Sequence, residues 1–94
     1  MRTPRISVDY VRADRFSDPI GGLRITVKQS YDVKYVLKAR GYRYDGTDRS
    51  WSKDFHEQDD AREEIEWMTG QGWEQPLQPH ILEDRLTEAF DLYS

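Results

Sequence analysis

Apolar and polar residues alternate over residues 5–12, where Ile6, Val8 and Tyr10 fall between Arg5, Ser7 and Asp9. This period of two predicts a half-buried strand, with Pro4 at its start. Alternation resumes at Leu23, Ile25 and Val27, with Arg24, Thr26 and Lys28 facing outward. Between them, Asp18-Pro19 and Gly21-Gly22 mark residues 15–22 as a loop, so the two strands form an antiparallel pair with a long connection. Val33, Val36 and Leu37 then take helical spacing, with Ser30 or Asp32 placed to cap a helix running to about Arg40. Gly41 ends it, because glycine takes a left-handed backbone without cost, and Lys38 and Arg40 suit the negative end of the helix dipole. Tyr42 and Tyr44 alternate with Arg43, Asp45-Gly46-Thr47-Asp48 supplies a turn, and Trp51 and Phe55 alternate with Ser52 and Asp54. Residues 33–55 therefore read as helix, strand, tight turn and strand, and the rest of the chain is organised around them.

Beyond Phe55 the period becomes helical. Asp54 and Glu57 stand at capping-box spacing, and Ala61, Ile65 and Met68 form a stripe that stops near Gly70 and Gly72. Residues 73–79 are a connector containing Pro76 and Pro79. Leu82, Leu86, Ala89, Phe90 and Tyr93 then predict an amphipathic C-terminal helix over residues 80–93, which packs locally or lies on a second copy or a partner. The order β-β-α-β-β-α-α predicts a single α+β domain over residues 1–94. Its form is a four-stranded antiparallel sheet with about three helices on one face.

Composition narrows the function classes. The 94 residues suit one modest core, supplied with bulk by three Trp, six Tyr and three Phe. No apolar run reaches the roughly 18 residues of a membrane span, and no apolar segment follows Met1-Arg2-Thr3-Pro4 as a secretory signal requires. A cytoplasmic protein is expected. Cysteine is absent, which removes disulfides, thiolate metal sites and cysteine nucleophiles. The net charge of −4 conceals an asymmetry: residues 1–53 carry twelve Lys/Arg against six Asp/Glu, and residues 54–94 two Arg against twelve Asp/Glu. If the halves separate in space, a basic face suits nucleic acid and an acidic face suits a basic protein.

Candidate chemistry is sparse. His56 and His80 stand at helix entrances, no serine has a Gly-x-Ser-x-Gly elbow, and there is no phosphate-binding glycine loop. His56, Asp60, Glu63 and Glu64 have helical spacing compatible with a hard cation, but dense acidic faces are commonly just solvated, and no second cluster completes a coordination sphere. No cofactor and no catalytic residue is expected. In contrast, Lys34, Lys38, Arg40, Arg43, Arg49 and Lys53 are interleaved with Tyr42, Tyr44 and Trp51. Cations for phosphates beside aromatic rings for bases are what single-strand binding uses. Core burial is the competing role for Trp51 and at least one of the tyrosines.

The residues Val33, Lys34, Leu37, Lys38, Gly41, Tyr42, Arg43, Tyr44, Asp45, Arg49 and Trp51 form a pattern that resembles a small helix-hairpin module. Similar segments accompany DNA-processing proteins, including tails of polymerase-III-epsilon-type exonucleases and plasmid-transfer proteins, and more distantly the HARP domain of annealing helicases. The resemblance covers about a quarter of the chain and implies a nucleic-acid-associated module.

Two functions follow as expectations. The first is a non-catalytic binding module that contacts single-stranded or distorted nucleic acid through Lys34, Lys38, Arg40, Arg43, Tyr44, Arg49 and Lys53. The second is an inhibitor or adaptor of the kind phages and mobile elements encode, in the manner of anti-CRISPR proteins. It would dock Asp59, Asp60, Glu63 and Glu64 on the basic groove of a nucleic-acid-handling protein. Either fits a monomer or a homodimer without membrane contact.

Overall fold

The computed structural model describes residues 3–11 and 22–91. The expected loop over residues 15–22 lies outside them apart from Gly22, as does Tyr93 of the C-terminal stripe.

Four strands form one antiparallel sheet: β1 (Arg5–Val11), β2 (Gly22–Lys28), β3 (Arg43–Asp45) and β4 (Ser50–Phe55). Their spatial order is β1-β2-β4-β3, with β4 inserted between β2 and β3. Because both neighbours of β4 run against it, β2 and β3 run parallel to each other, and a helical crossover joins them. That crossover is a single 3₁₀ turn (Tyr31–Val33) continued by α1 (Lys34–Ala39). Helices α2 (Gln58–Gly70) and α3 (Pro79–Asp91) complete an α+β fold whose element order is the one that the periodicity predicts.

The register places Leu23, Ile25 and Val27 of β2 beside Phe55, Lys53 and Trp51 of β4. On β1 the same face carries Ile6 and Val8. These apolar residues meet Leu37 of α1, Ala61, Ile65 and Met68 of α2, and Leu86 and Ala89 of α3 in one continuous core. The helix spacings of three and four residues put each set on a single stripe, so each helix buries one side. α3 lies against β1, β2 and α2. Two contacts fasten it to β1: Arg85 Nη1 donates to the Val8 carbonyl at 3.0 Å, and the Tyr10 hydroxyl donates to Glu88 at 2.7 Å. An Arg62–Glu83 ion pair joins α2 to α3.

Both central helices stop in the same way. After α1, the Tyr42 amide donates to Leu37 O and the Gly41 amide to Lys38 O; after α2, Trp73 donates to Met68 O and Gly72 to Thr69 O. Each is a Schellman ending, and each needs the left-handed φ that Gly41 (+91°) and Gly72 (+83°) supply. The residue two beyond each helix, Tyr42 or Trp73, is then driven into the core beside Leu37 or Met68.

Local details differ from the expectations. Ser30 makes no side-chain cap, and the turn that starts the crossover is 3₁₀ before it is α-helical. Val36 is 44% exposed, so Leu37 alone anchors α1 in the core. The expected capping box is also replaced: Glu57 is itself the N-cap residue of α2, without a side-chain bond. Asp54 remains in β4 and forms a bidentate pair with Arg24 on the neighbouring strand. The two edges of the sheet are guarded differently. Ile6 N donates to Glu74 O and Glu74 N to Pro4 O, so the connector covers β1, whereas β3 is an edge of only three residues. No helix among the described residues is long and apolar enough to cross a membrane.

Candidate functional site

Where β2 ends, Gln29 takes a left-handed backbone (φ 56°) and turns the chain into the 3₁₀ turn. Across the sheet, Arg49 closes the β3–β4 turn in the same region (φ 54°). The turn begins with the Asp45 carboxylate accepting the Thr47 amide at 2.8 Å, a local bond that aspartate makes readily. Left-handed conformations cost about 1 kcal/mol or more in residues with a Cβ, and such outliers concentrate at functional sites. Here both flank one hollow.

The hollow has a volume of about 660 Å³ and is open to solvent. Its walls are Lys28, Tyr31, Lys34, Tyr44, Arg49 and Trp51, with Gln29, Ser30 and Asp48 filling the turns. Trp51 reaches it from the core: half-buried beside Val27, its ring meets that of Tyr44 with centroids 5.3 Å apart and planes inclined at 54°. Tyr44 is 55% exposed and Tyr31 78% exposed. On the opposite wall the Lys34 ammonium lies 4.1 Å from the Tyr31 ring centre and 5.3 Å from that of Tyr35, held by the ring quadrupoles. Three cations and three aromatic rings thus share one concave surface. Asp48 is the one carboxylate among its described lining residues, and it belongs to none of the ion pairs among the described residues.

Of the basic residues singled out from the sequence, the structure brings Lys34 and Arg49 together here, with Tyr44. Arg40 is elsewhere. Its guanidinium makes a bidentate pair with Glu64 (2.7 and 3.0 Å) and stacks 3.9 Å from the centre of Trp67. Hydrogen bonding to Glu64 holds Arg40 in its charged form above its already high range. Lys53 points to the helix side of β4, where its ammonium donates to the Arg40 carbonyl at 2.9 Å, at the negative end of α1. Arg43 occupies the face opposite to Tyr44, in a separate hollow with Arg24, Ser52 and Asp54. Lys38 is exposed on α1 outside the aromatic hollow.

The acidic set divides as well. Asp59, Asp60 and Glu63 are exposed on α2, but Glu64 is buried between Arg40 and Tyr42, whose hydroxyl donates to it at 3.3 Å. Burial pushes the Tyr42 phenol far above its ordinary range, and the Glu64 charge adds to the effect. Asp60 and Glu63 line a second hollow of about 490 Å³ with His56 and Glu57, sharing no residue with the aromatic one. Among the described residues no group of three His, Asp or Glu side chains could hold a metal ion.

Lys28, Tyr31 and Gln29 were absent from the sequence-derived set. For Tyr31 a signal existed: Tyr31, Lys34 and Tyr35 stand three and four residues apart, the spacing at which a cation reaches two rings. Gln29 carried none, because a left-handed glutamine has no signature in sequence. No protein-family model, no curated protein and no solved structure matches this chain, so the reading of the hollow stands on its geometry.

Proposed function

We propose that the chain is a non-catalytic binding module that acts on nucleic acid in the cytoplasm and holds single-stranded or distorted segments in the aromatic hollow. One observation carries this reading: Lys28, Lys34 and Arg49 converge with Tyr31, Tyr44 and Trp51 on one open concavity. Phosphates are drawn by the cations, and bases freed from a duplex stack on the rings, an arrangement tolerant of sequence. Paired bases in a regular duplex cannot reach the rings, which favours unpaired strands.

The test is fluorescence anisotropy of labelled single strands and duplexes of DNA and RNA across a salt titration. Three phosphate contacts give a log–log slope of about −2 for a single strand. Tyr44→Ala weakens binding roughly tenfold, the loss of one stacked base. Absence of single-strand binding at low salt contradicts the proposal.

A second reading rests on the exposed acids of α2. Asp59, Asp60 and Glu63 face solvent and offer charge complementarity to a basic groove of a nucleic-acid-handling protein. Glu64, paired internally with Arg40, takes no part in it. Charge reversal of Asp60 and Glu63 that leaves capture by such a partner unchanged contradicts this second reading.

A further inference from the structure

A groove built only to attract phosphates would be lined by cations alone. This one contains Asp48, an exposed carboxylate in the β3–β4 turn, adjacent in sequence to Arg49. No cation of the hollow approaches Asp48 within ion-pair distance, since the salt bridges among the described residues are Arg24–Asp54, Arg40–Glu64 and Arg62–Glu83. The turn does not need it either: the carboxylate that closes the turn, by accepting the Thr47 amide, belongs to Asp45. In a site for a polyanion, an unneutralised carboxylate repels the backbone unless the ligand brings N–H donors to it.

Resting on the proposed nucleic-acid reading, we infer that the hollow discriminates between bases. It accepts an unstacked nucleotide whose base lies against Tyr44 and Trp51, and Asp48 accepts hydrogen bonds from the Watson–Crick edge of that base. The chemistry ranks the bases. Guanine offers two adjacent donors, N1–H and the N2 amino group, which match the two oxygens of one carboxylate. Adenine and cytosine offer an amino donor beside a ring-nitrogen acceptor, so only one bond forms. Thymine and uracil offer a single N–H flanked by two carbonyl oxygens that the carboxylate repels. The preferred ligand is therefore a guanine nucleotide within an unpaired strand, its neighbouring phosphates held by Lys28, Lys34 and Arg49.

The experiment compares four labelled oligothymidine strands that carry guanine, adenine, cytosine or thymine at one central position. They are measured by anisotropy with the full chain and with Asp48→Ala. The guanine strand binds at least about fivefold tighter than the all-thymine strand, the discrimination expected of a bidentate contact. In Asp48→Ala that preference disappears while affinity for the all-thymine strand is kept or raised, which also shows that the variant is folded. Equal binding of all four strands by the unsubstituted chain overturns this inference and leaves the nucleic-acid reading standing. A guanine preference that survives Asp48→Ala overturns the role of Asp48. Failure to bind any strand overturns the underlying reading together with the inference.

Discussion

Arg40 and Glu64 are bound to each other by two hydrogen bonds, and the pair ties the C-terminal end of α1 to the middle of α2. The sequence alone assigns them to two separate candidate sets, Arg40 to the basic one and Glu64 to the acidic one. The side chains differ in exposure, 36% for Arg40 and 9% for Glu64, and this sets what each contributes.

Removing the arginine leaves a buried carboxylate whose remaining partner among the described residues is the Tyr42 hydroxyl, and also strips the guanidinium from Trp67. Removing the glutamate leaves a cation that water can reach. Arg40→Ala is therefore expected to cost about 2–3 kcal/mol and Glu64→Ala about 1–2 kcal/mol, below the full penalty for breaking a fully buried pair because Arg40 is partly solvated. Urea unfolding of both variants checks the order, and equal or reversed costs contradict it.

Tyr42 makes stability sensitive to alkali. Its folded-state pKa is raised above the ordinary 10.0, so above about pH 10 the unfolded chain has lost a proton that the folded chain keeps. Stability is complete below that pH and falls as pH rises through the window, at up to about 1.4 kcal/mol per pH unit. Tyr10, raised by its hydrogen bond to Glu88, adds a further loss of the same sign. Denaturation midpoints from pH 8 to 11 should decline for the unsubstituted chain and decline less for Tyr42→Phe.

The two left-handed residues separate stability from binding. Glycine relieves the strain at either position, so Gln29→Gly and Arg49→Gly should fold as well as the parent or gain up to about 1 kcal/mol. Arg49→Gly should bind single strands more weakly despite that, because it removes a phosphate partner. A large loss of thermal stability in either variant would show that the side chain, and not the backbone geometry, is what the position requires.

The basic residues sort by place. Lys34→Ala and Arg49→Ala should each weaken single-strand binding and reduce the salt slope by about 0.7, the share of one phosphate contact. Arg43→Ala, on the opposite face of the sheet, should leave both nearly unchanged. Salt titrations of the three variants check this division.

Much of the architecture was legible because it rests on periodicity. Leu23, Ile25 and Val27 announce a strand, Ala61, Ile65 and Met68 a helix, and Gly41 and Gly72 the ends of helices; all follow from local chemistry that the tertiary structure leaves in place. The candidate site was less legible because it depends on pairings between distant segments. Glu64 looks like its neighbour Glu63 until α1 brings Arg40 to it, and Asp54 looks like a helix cap until β2 brings Arg24. Lys53 has the sequence context of a surface lysine, yet strand parity turns it toward the end of α1. Tyr31 joins Tyr44 only because β4 inserts between β2 and β3.

The most direct test of the nucleic-acid reading is residue-level mapping by NMR of the isotopically labelled chain titrated with a short single strand. The amides of residues 28–34, 44 and 48–51 should shift on binding, while those of Asp59, Asp60 and Glu63 stay in place. Shifts confined to α2, or none at low salt, would contradict it.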